Sequence, residues 1–386
     1  MIPMTFLRKS SPHMRRGVST PVIMLMVLAA LLPAAAVHIL CFGWGLMWNL
    51  LFCTLWASLL EAGVSVLRGR HPLSGLRDFS LQVTVWLYCL AIPPYISLWM
   101  TILGVTFAVL IVKHAFGGLG QNTFNPAMAG FIFLLISVPA AMGGWVAPSA
   151  RNLEIYSPGN AFQMILMDHN DIKKNLIMSN NSRIQEEAGT ARAAAAADGA
   201  TYATPLNRFR EIFSYAGIVH YVPDLDQGWT LETHGGVILS LAYALGGIFL
   251  IVTGFISAAQ PLAFLISVYA SGVVVNMLGV GNNFTTISDW EHLFIGSTMC
   301  GAFFIITDPV SSPTSLRGRI ISAAIIGMVT VAIRTFGSYP DAIAFAALLG
   351  NSINPLINKL TRPRRFGDTP PAAASPAAGS GTRSLT

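Results

Sequence analysis

Long apolar runs recur along this chain from Val22 to Leu356, and they restrict the folds that it can adopt. A helix needs about 20 mostly apolar residues to cross a bilayer, and the chain has enough of them for many crossings. Only 10% of its 386 residues are charged, against about 25% in soluble proteins. The net charge of +6 comes from short Lys and Arg clusters between the runs, not from a basic face that would bind nucleic acid. The sequence therefore predicts an all-α polytopic membrane protein in a lipid bilayer, with no nucleic-acid partner.

Ten of these runs, bounded by charged or turn-forming residues, are predicted to be transmembrane helices. Fifteen basic residues fall in segments on one side of the membrane, whereas the short loops on the other side carry only Arg334. This asymmetry places both termini in the cytoplasm and the long segment 144–235 outside. The predicted helices occupy residues 21–42, 44–66, 79–96, 97–112, 124–143, 236–256, 261–280, 290–306, 319–335 and 341–358.

The two halves of the chain resemble each other. Residues 113–139 and 334–360 both combine an aromatic-Gly turn, an apolar span and an Asn-Pro pair. Because each half holds an odd number of spans, the two copies have opposite orientations, as in many transporters that bind their substrate between the halves. The predicted domains are a cytoplasmic N-terminus (1–20), a five-helix repeat (21–143), an outside loop (144–235), an inverted five-helix repeat (236–360) and a cytoplasmic tail (361–386) of a composition typical of disorder.

Polar residues near the start of the fifth span mark a candidate site. The segment GGLGQNTFNPAM (117–128) lies at the cytoplasmic mouth of that span, where Asn122 and Asn125 offer amides that donate and accept hydrogen bonds. The segment lacks the Lys-Ser/Thr of a phosphate-binding loop. Asparagines at a helix start are also typical caps, so a ligand site and a simple cap both stay open.

Four carboxylates inside or at the edges of the spans are candidates for function: Glu61, Asp78, Asp308 and Asp341. Intramembrane carboxylates are costly and often line ion or proton paths, although the last three are also placed to cap helix ends. We predict that Asn122, Asn125 and Asp308 form one polar site between the repeats, and that Asp308 and Asp341 lie on an ion path. The four cysteines and eight histidines show no metal-ligand spacing, so no metal site is predicted.

The segment DGATYATPL (198–206) carries two hydroxyls in the outside loop. An Asp-Gly turn followed by small residues is compatible with an ordinary loop. The segment also resembles the acceptor pattern Asp-x-x-Ser/Thr-x-Ala-Thr of flavin transferases, which attach FMN through a phosphoester to the final threonine. The matching residues in this chain are Asp198, Thr201, Ala203 and Thr204.

Together with GGLGQNTFNPAM, TDPVSS (307–312) and FGSYPDAIAFAALLGN (336–351), this pattern resembles the RnfD proteins of the Rnf ion-translocating electron-transport complexes. The resemblance extends to about Gly367. A related protein of the sodium-translocating NADH:quinone reductase, its B subunit, shares the inverted-repeat fold but usually has a longer N-terminal region. An Ala-rich insertion before Asp198 departs from the family pattern and leaves the conformation of that loop open.

The resemblance implies a subunit of a bacterial inner-membrane complex that passes electrons between NADH and ferredoxin, coupled to Na⁺ or H⁺ movement. It implies that 144–235 is periplasmic, that FMN is bound covalently to Thr204, and that a noncovalent flavin such as riboflavin lies near Asn122 and Asn125. The chain would have no catalytic residue of its own and would not be active alone. The implied partners are Rnf subunits A, B, C, E and G and, during maturation, a flavin transferase.

A solute channel or transporter without redox activity is the alternative that stays open. Two inverted halves of five spans are also typical of that class. A covalently bound flavin would distinguish the two functions, because a channel does not need a covalent chromophore.

Overall fold

The computed structural model of the chain describes residues 19–117, 121–146, 153, 156–166, 231–278, 290–294, 296–337 and 342–361. Within these residues every regular element is a helix. The N-terminal half contains α1 (Thr20–Phe42), α2 (Gly45–Leu67), α3 (Ser80–Ala91), α4 (Leu98–Thr106), its π-helical continuation π1 (Phe107–Ala115), α5 (Pro126–Ser137), α6 (Pro139–Met142) and α7 (Pro158–Leu166). The C-terminal half contains α8 (Leu231–Val252), α9 (Ala259–Leu278), α10 (Glu291–Phe294), α11 (Thr298–Cys300), the π-helix π2 (Gly301–Ile305), α12 (Leu316–Phe336) and α13 (Ala342–Leu360).

Six helical segments of the described residues are long and apolar enough to cross a membrane, namely 20–42, 45–67, 98–115, 235–252, 259–278 and 316–336. Each of the ten predicted ranges overlaps a helix. However, α3 and α5 have only 12 residues each, and the range 290–306 is divided among short pieces. Ten crossings and the inverted repeat therefore stay predictions.

Proline explains why α3 and α5 are short. The residue before a proline disfavours helical geometry, and Ile92, which precedes Pro93, is extended with φ −93° and ψ 156°. Val138 precedes Pro139 and also leaves the helix, with φ −135° and ψ 59°. A helix of this length spans about 18 Å, which is less than the hydrocarbon core of about 30 Å.

Among the described helices, the main contacts between the halves are those of α1 with α8 and of α5 with α13. In the predicted repeats these are the first and the fifth helices, so each pair links equivalent positions. Apolar side chains also point outward from the bundle, such as Leu59 and Ile266, which are 62% and 66% exposed. Outward apolar side chains are expected where a helix faces lipid.

Candidate functional site

A cavity of about 230 Å³ lies between the two halves. Its walls come from α1 and α3 on one side and from the end of α8, π2 and the turn before α12 on the other. Apolar side chains, including Val27, Leu87 and Phe303, form much of the wall. Apolar walls with a few placed polar groups are typical of ligand sites.

Asn125 lines this cavity and caps α5. Its Oδ1 accepts hydrogen bonds from the N–H groups of Ala127 at 3.0 Å and Met128 at 3.3 Å. The sequence favours this arrangement, because Asn is a good N-cap and Pro126 suits the first helical position. Since the oxygen is used by the cap, the amide nitrogen of Asn125 is left without a hydrogen-bond partner in the described part of the chain.

Asn122 also lines the cavity, but the group that it leaves free is an acceptor rather than a donor. Its Nδ2 donates to the carbonyl of Phe124 at 3.0 Å, so its oxygen is the group left to accept from a ligand. The two asparagines therefore supply one donor and one acceptor. With the apolar walls, this pair can hold a flat heteroaromatic ligand that has donors and acceptors along one edge.

Asp308 lies on the opposite wall, in the turn that follows π2. Its Oδ1 accepts from the N–H of Val310 at 3.2 Å, and its Oδ2 accepts from the hydroxyl of Ser311 at 3.0 Å. Loss of hydration raises the pKa of the Asp308 carboxyl, although these two hydrogen bonds act in the other direction. The structure thus brings Asn122, Asn125 and Asp308 to one cavity, while their role toward a flavin or an ion stays a prediction.

Two basic side chains, Lys113 and Arg319, also line the cavity. Nζ of Lys113 lies 3.0 Å from Oε2 of Glu61 and 3.4 Å from Oγ of Ser80. Nε of Arg319 donates to the carbonyl of Pro313 at 3.0 Å. The cavity wall therefore carries charges of both signs.

Glu61, Lys113 and His114 form a buried cluster beside the cavity. Nε2 of His114 lies 2.9 Å from the Oε2 of Glu61 that Lys113 also contacts. The sequence indicates Glu61 but not its two partners. Lys113 is only one of the fifteen basic residues that predict the orientation in the membrane, and His114 is one of eight dispersed histidines. Two bases at the end of an apolar run, in a chain with an intramembrane carboxylate, are the signal that could have found the cluster.

Two predicted site residues, Thr204 and Asp341, lie outside the described residues. Asp78 lies just before the N-cap residue Phe79 of α3. Its Oδ1 accepts from the N–H of Ser80 at 3.0 Å and from the Ser80 hydroxyl at 2.8 Å. Among the residues that the structure describes, no group of three or more His, Cys, Asp or Glu side chains is placed to hold a metal ion.

Comparison with known proteins matches residues 7–367 to the NQR2, RnfD, RnfE family. The D subunit of the ion-translocating oxidoreductase complex of Vibrio atlanticus (strain LGP32) is 39% identical over 364 residues, which cover 94% of this chain and 100% of the relative. The same protein of Vibrio cholerae serotype O1 (strain M66-2) is 38% identical, with 94% and 100% covered. That of Klebsiella pneumoniae (strain 342) is 36% identical, with 94% and 99% covered.

Proposed function

The chain belongs to the NQR2, RnfD, RnfE family, and from this premise we propose that it is a flavin-bearing membrane subunit of a bacterial ion-translocating oxidoreductase complex. Relatives of 36–39% identity over nearly the full length are named as the D subunit of such a complex. In this proposal the complex couples electron transfer to the movement of Na⁺ or H⁺. A bound flavin supplies the redox chemistry, and the chain supplies binding, orientation and electrostatics.

The cavity between the halves is the observation that carries the proposal. A flavin ring is flat and apolar on its faces, and one edge has an N–H between two carbonyl oxygens. The free nitrogen of Asn125 and the free oxygen of Asn122 match such an edge, and Phe303 and its apolar neighbours match the faces. The residues present therefore fit a noncovalent flavin such as riboflavin.

We place a second flavin, FMN, on Thr204 as a phosphoester. The support is the acceptor pattern that begins at Asp198, together with the charge asymmetry that puts 144–235 on the periplasmic side. A flavin transferase attaches this FMN during maturation. The partners of the mature chain are the Rnf subunits A, B, C, E and G.

The proposed architecture is ten crossings of the bacterial inner membrane in two inverted repeats, with both termini cytoplasmic. The α1–α8 and α5–α13 pairs support it, because they join equivalent positions of the two halves. The short helices α3 and α5 support it as well, since both begin at the cavity, as broken helices do in many transporters. The coupled ion passes Asp308 and Asp341 in this proposal.

Replacing Asn125 by serine tests the noncovalent flavin site. Serine keeps an oxygen that caps α5 but lacks the amide nitrogen, so the Asn125→Ser complex should assemble and bind the flavin roughly tenfold more weakly, as expected for the loss of one hydrogen bond. Asn122→Ala should act similarly by removing the acceptor. The measurement is the flavin released on denaturation per complex, after equilibration at several flavin concentrations.

Ser315→Ala is the matched control, because it removes the N-cap of α12, where Ser315 accepts from the N–H of Gly318 at 3.0 Å. It should lower stability without weakening flavin binding. Unchanged flavin binding in both asparagine variants would return Asn122 and Asn125 to a purely structural role.

A further inference from the structure

Two basic side chains share one carboxylate oxygen beside the cavity. Nζ of Lys113 and Nε2 of His114 lie 3.0 Å and 2.9 Å from Oε2 of Glu61. A carboxylate can only accept hydrogen bonds, so Nε2 of His114 carries the hydrogen at this contact, and in the neutral form of the ring the lone pair is at Nδ1. In the described part of the chain this Nδ1 is buried without a hydrogen-bond partner. It is therefore a vacant proton acceptor.

The two bases differ in what they face. Lys113 lines the cavity, whereas His114 does not. With a neutral imidazole, the ammonium of Lys113 is balanced by the carboxylate of Glu61. A proton on Nδ1 makes His114 a second cation on the same carboxylate oxygen, so the charge of Lys113 is no longer fully balanced at the cavity wall.

The surroundings of the cluster add balanced charges. Arg68, which follows α2, donates to the carbonyl of His114 at 2.7 Å. Asp78 contacts Ser80, which in turn contacts Lys113. Among the described helices, the others packed on π1 are α4 and α5, and neither contains a charged residue. With the imidazole of His114 neutral, the charges of Glu61, Lys113, Arg68 and Asp78 sum to zero.

The loop before α3 covers the carboxylate. Gly75 lies so close that a β-carbon there would overlap Oε1 of Glu61. The side chains of Glu61 and Lys113 are 4% exposed, and that of His114 is 9% exposed at the end of π1. A low-dielectric site of this kind makes a single added charge costly unless an opposite charge accompanies it.

We infer that His114 binds a proton at Nδ1 when a flavin in the cavity is reduced, so that the Glu61–Lys113–His114 cluster compensates the charge of the electron. The inference rests on the proposed function, since it requires a redox cofactor in the cavity. One electron reaches the cofactor from a one-electron carrier of a partner subunit. One proton leaves a hydronium ion of the cytoplasmic water, as an O–H bond breaks and an N–H bond forms at Nδ1. Both leave again on reoxidation.

Reduced-minus-oxidised infrared spectroscopy of the purified complex tests this step. With histidine labelled by ¹⁵N at Nδ1 only, wild type should show an imidazole signal in which the labelled nitrogen gains hydrogen. His114→Gln should lose that signal, because glutamine keeps an N–H donor for Glu61 but takes up no proton. His71→Gln is the matched control, since His71 is an exposed histidine of the loop before α3, and it should retain the signal.

The flavin released from the same samples separates the two proposals. Absence of the noncovalent flavin from wild type would overturn the proposed site and this inference with it. Reducible flavin without a labelled histidine signal in wild type would overturn this inference alone, and so would a signal that persists in His114→Gln. The experiment on labelled wild type tests this inference even if the His114→Gln complex does not assemble.

Discussion

The carbonyl oxygen of Ala30 on α1 occupies the place that a β-carbon of Gly246 on α8 would need. The two helices belong to different halves of the chain and meet here backbone to backbone. Close approach at small residues is a common way for membrane helices to associate. The same two helices line the cavity with Val27 of α1 and Leu250 of α8.

Gly246→Ala is expected to force α1 and α8 apart. The added methyl group overlaps backbone atoms of Ala30 rather than a flexible side chain, so the free energy of unfolding should fall by about 1–3 kcal/mol. The measurement is the temperature at which the complex loses its folded peak in size-exclusion chromatography after heating in detergent.

Gly236→Ala on the same helix is the control, because nothing lies within 4 Å of a β-carbon at that position. It should be as stable as wild type or slightly more so, since alanine favours a helix over glycine by about 1 kcal/mol. Equal unfolding temperatures for the two variants would contradict the role of the Ala30–Gly246 contact.

Because Glu61 and Lys113 form a buried ion pair, we expect the effects of their substitution on the free energy of unfolding to be non-additive. Glu61→Gln leaves the Lys113 ammonium buried without a counter-charge, and breaking a buried pair in this way costs about 3–5 kcal/mol. Adding Lys113→Met removes that charge and keeps a similar volume, so the double variant should recover part of the loss. A double-mutant cycle of thermal unfolding measures the coupling, and strictly additive losses would show that the pair contributes nothing.

The carboxyl of Asp308 is expected to make the free energy of unfolding depend on pH. Because the folded state raises the pKa of this carboxyl, the folded chain holds the proton more tightly than the unfolded chain. The free energy of unfolding therefore falls as pH rises from the ordinary aspartate pKa to the raised one, where the unfolded chain has already lost the proton. Asp308→Asn should remove this slope, which thermal unfolding between about pH 4 and about pH 8 measures. An identical slope in both proteins would contradict the prediction.

The sequence was sufficient to place Asn122, Asn125 and Asp308 together. The Asn-Pro pair that starts α5 and the turn after π2 are both local patterns, and the predicted count of ten spans would put both segments on the same side of the membrane. Proline also made the short length of α3 and α5 predictable in principle, because its effect on the preceding residue is local. The predicted ranges 79–96 and 124–143 are longer than α3 and α5, because the apolar composition on which they rest continues past Ile92 and Val138.

The partners of Glu61 could not be predicted in the same way. Lys113 and His114 are 52 and 53 positions away in sequence, and contacts between distant helices leave no local pattern. They also lie on π1, where the number of residues per turn differs from that of an α-helix. The α-helical period therefore does not tell which way these side chains point.

Thr204 is predicted to carry FMN as a phosphoester. A flavin held through its phosphate survives denaturation, so the chain should fluoresce in a denaturing gel and its intact mass should exceed that of the sequence by one FMN less one water. Thr204→Val should abolish both signals and leave the membrane helices folded, because Thr204 belongs to the predicted outside segment 144–235 and not to a predicted span.

Thr201→Val is the matched control, since Thr201 is a hydroxyl three positions earlier in the same segment. The acceptor pattern counted from Asp198 puts Thr201 at its Ser/Thr position and Thr204 at the attachment point. Thr201→Val should therefore lower the fraction of chains that carry FMN, while the FMN that is attached stays on Thr204. Fluorescence that persists in Thr204→Val and vanishes in Thr201→Val would show that the register of the pattern is wrong. A wild-type chain with the unmodified mass would instead favour a channel or transporter, because only the redox function requires a covalent flavin.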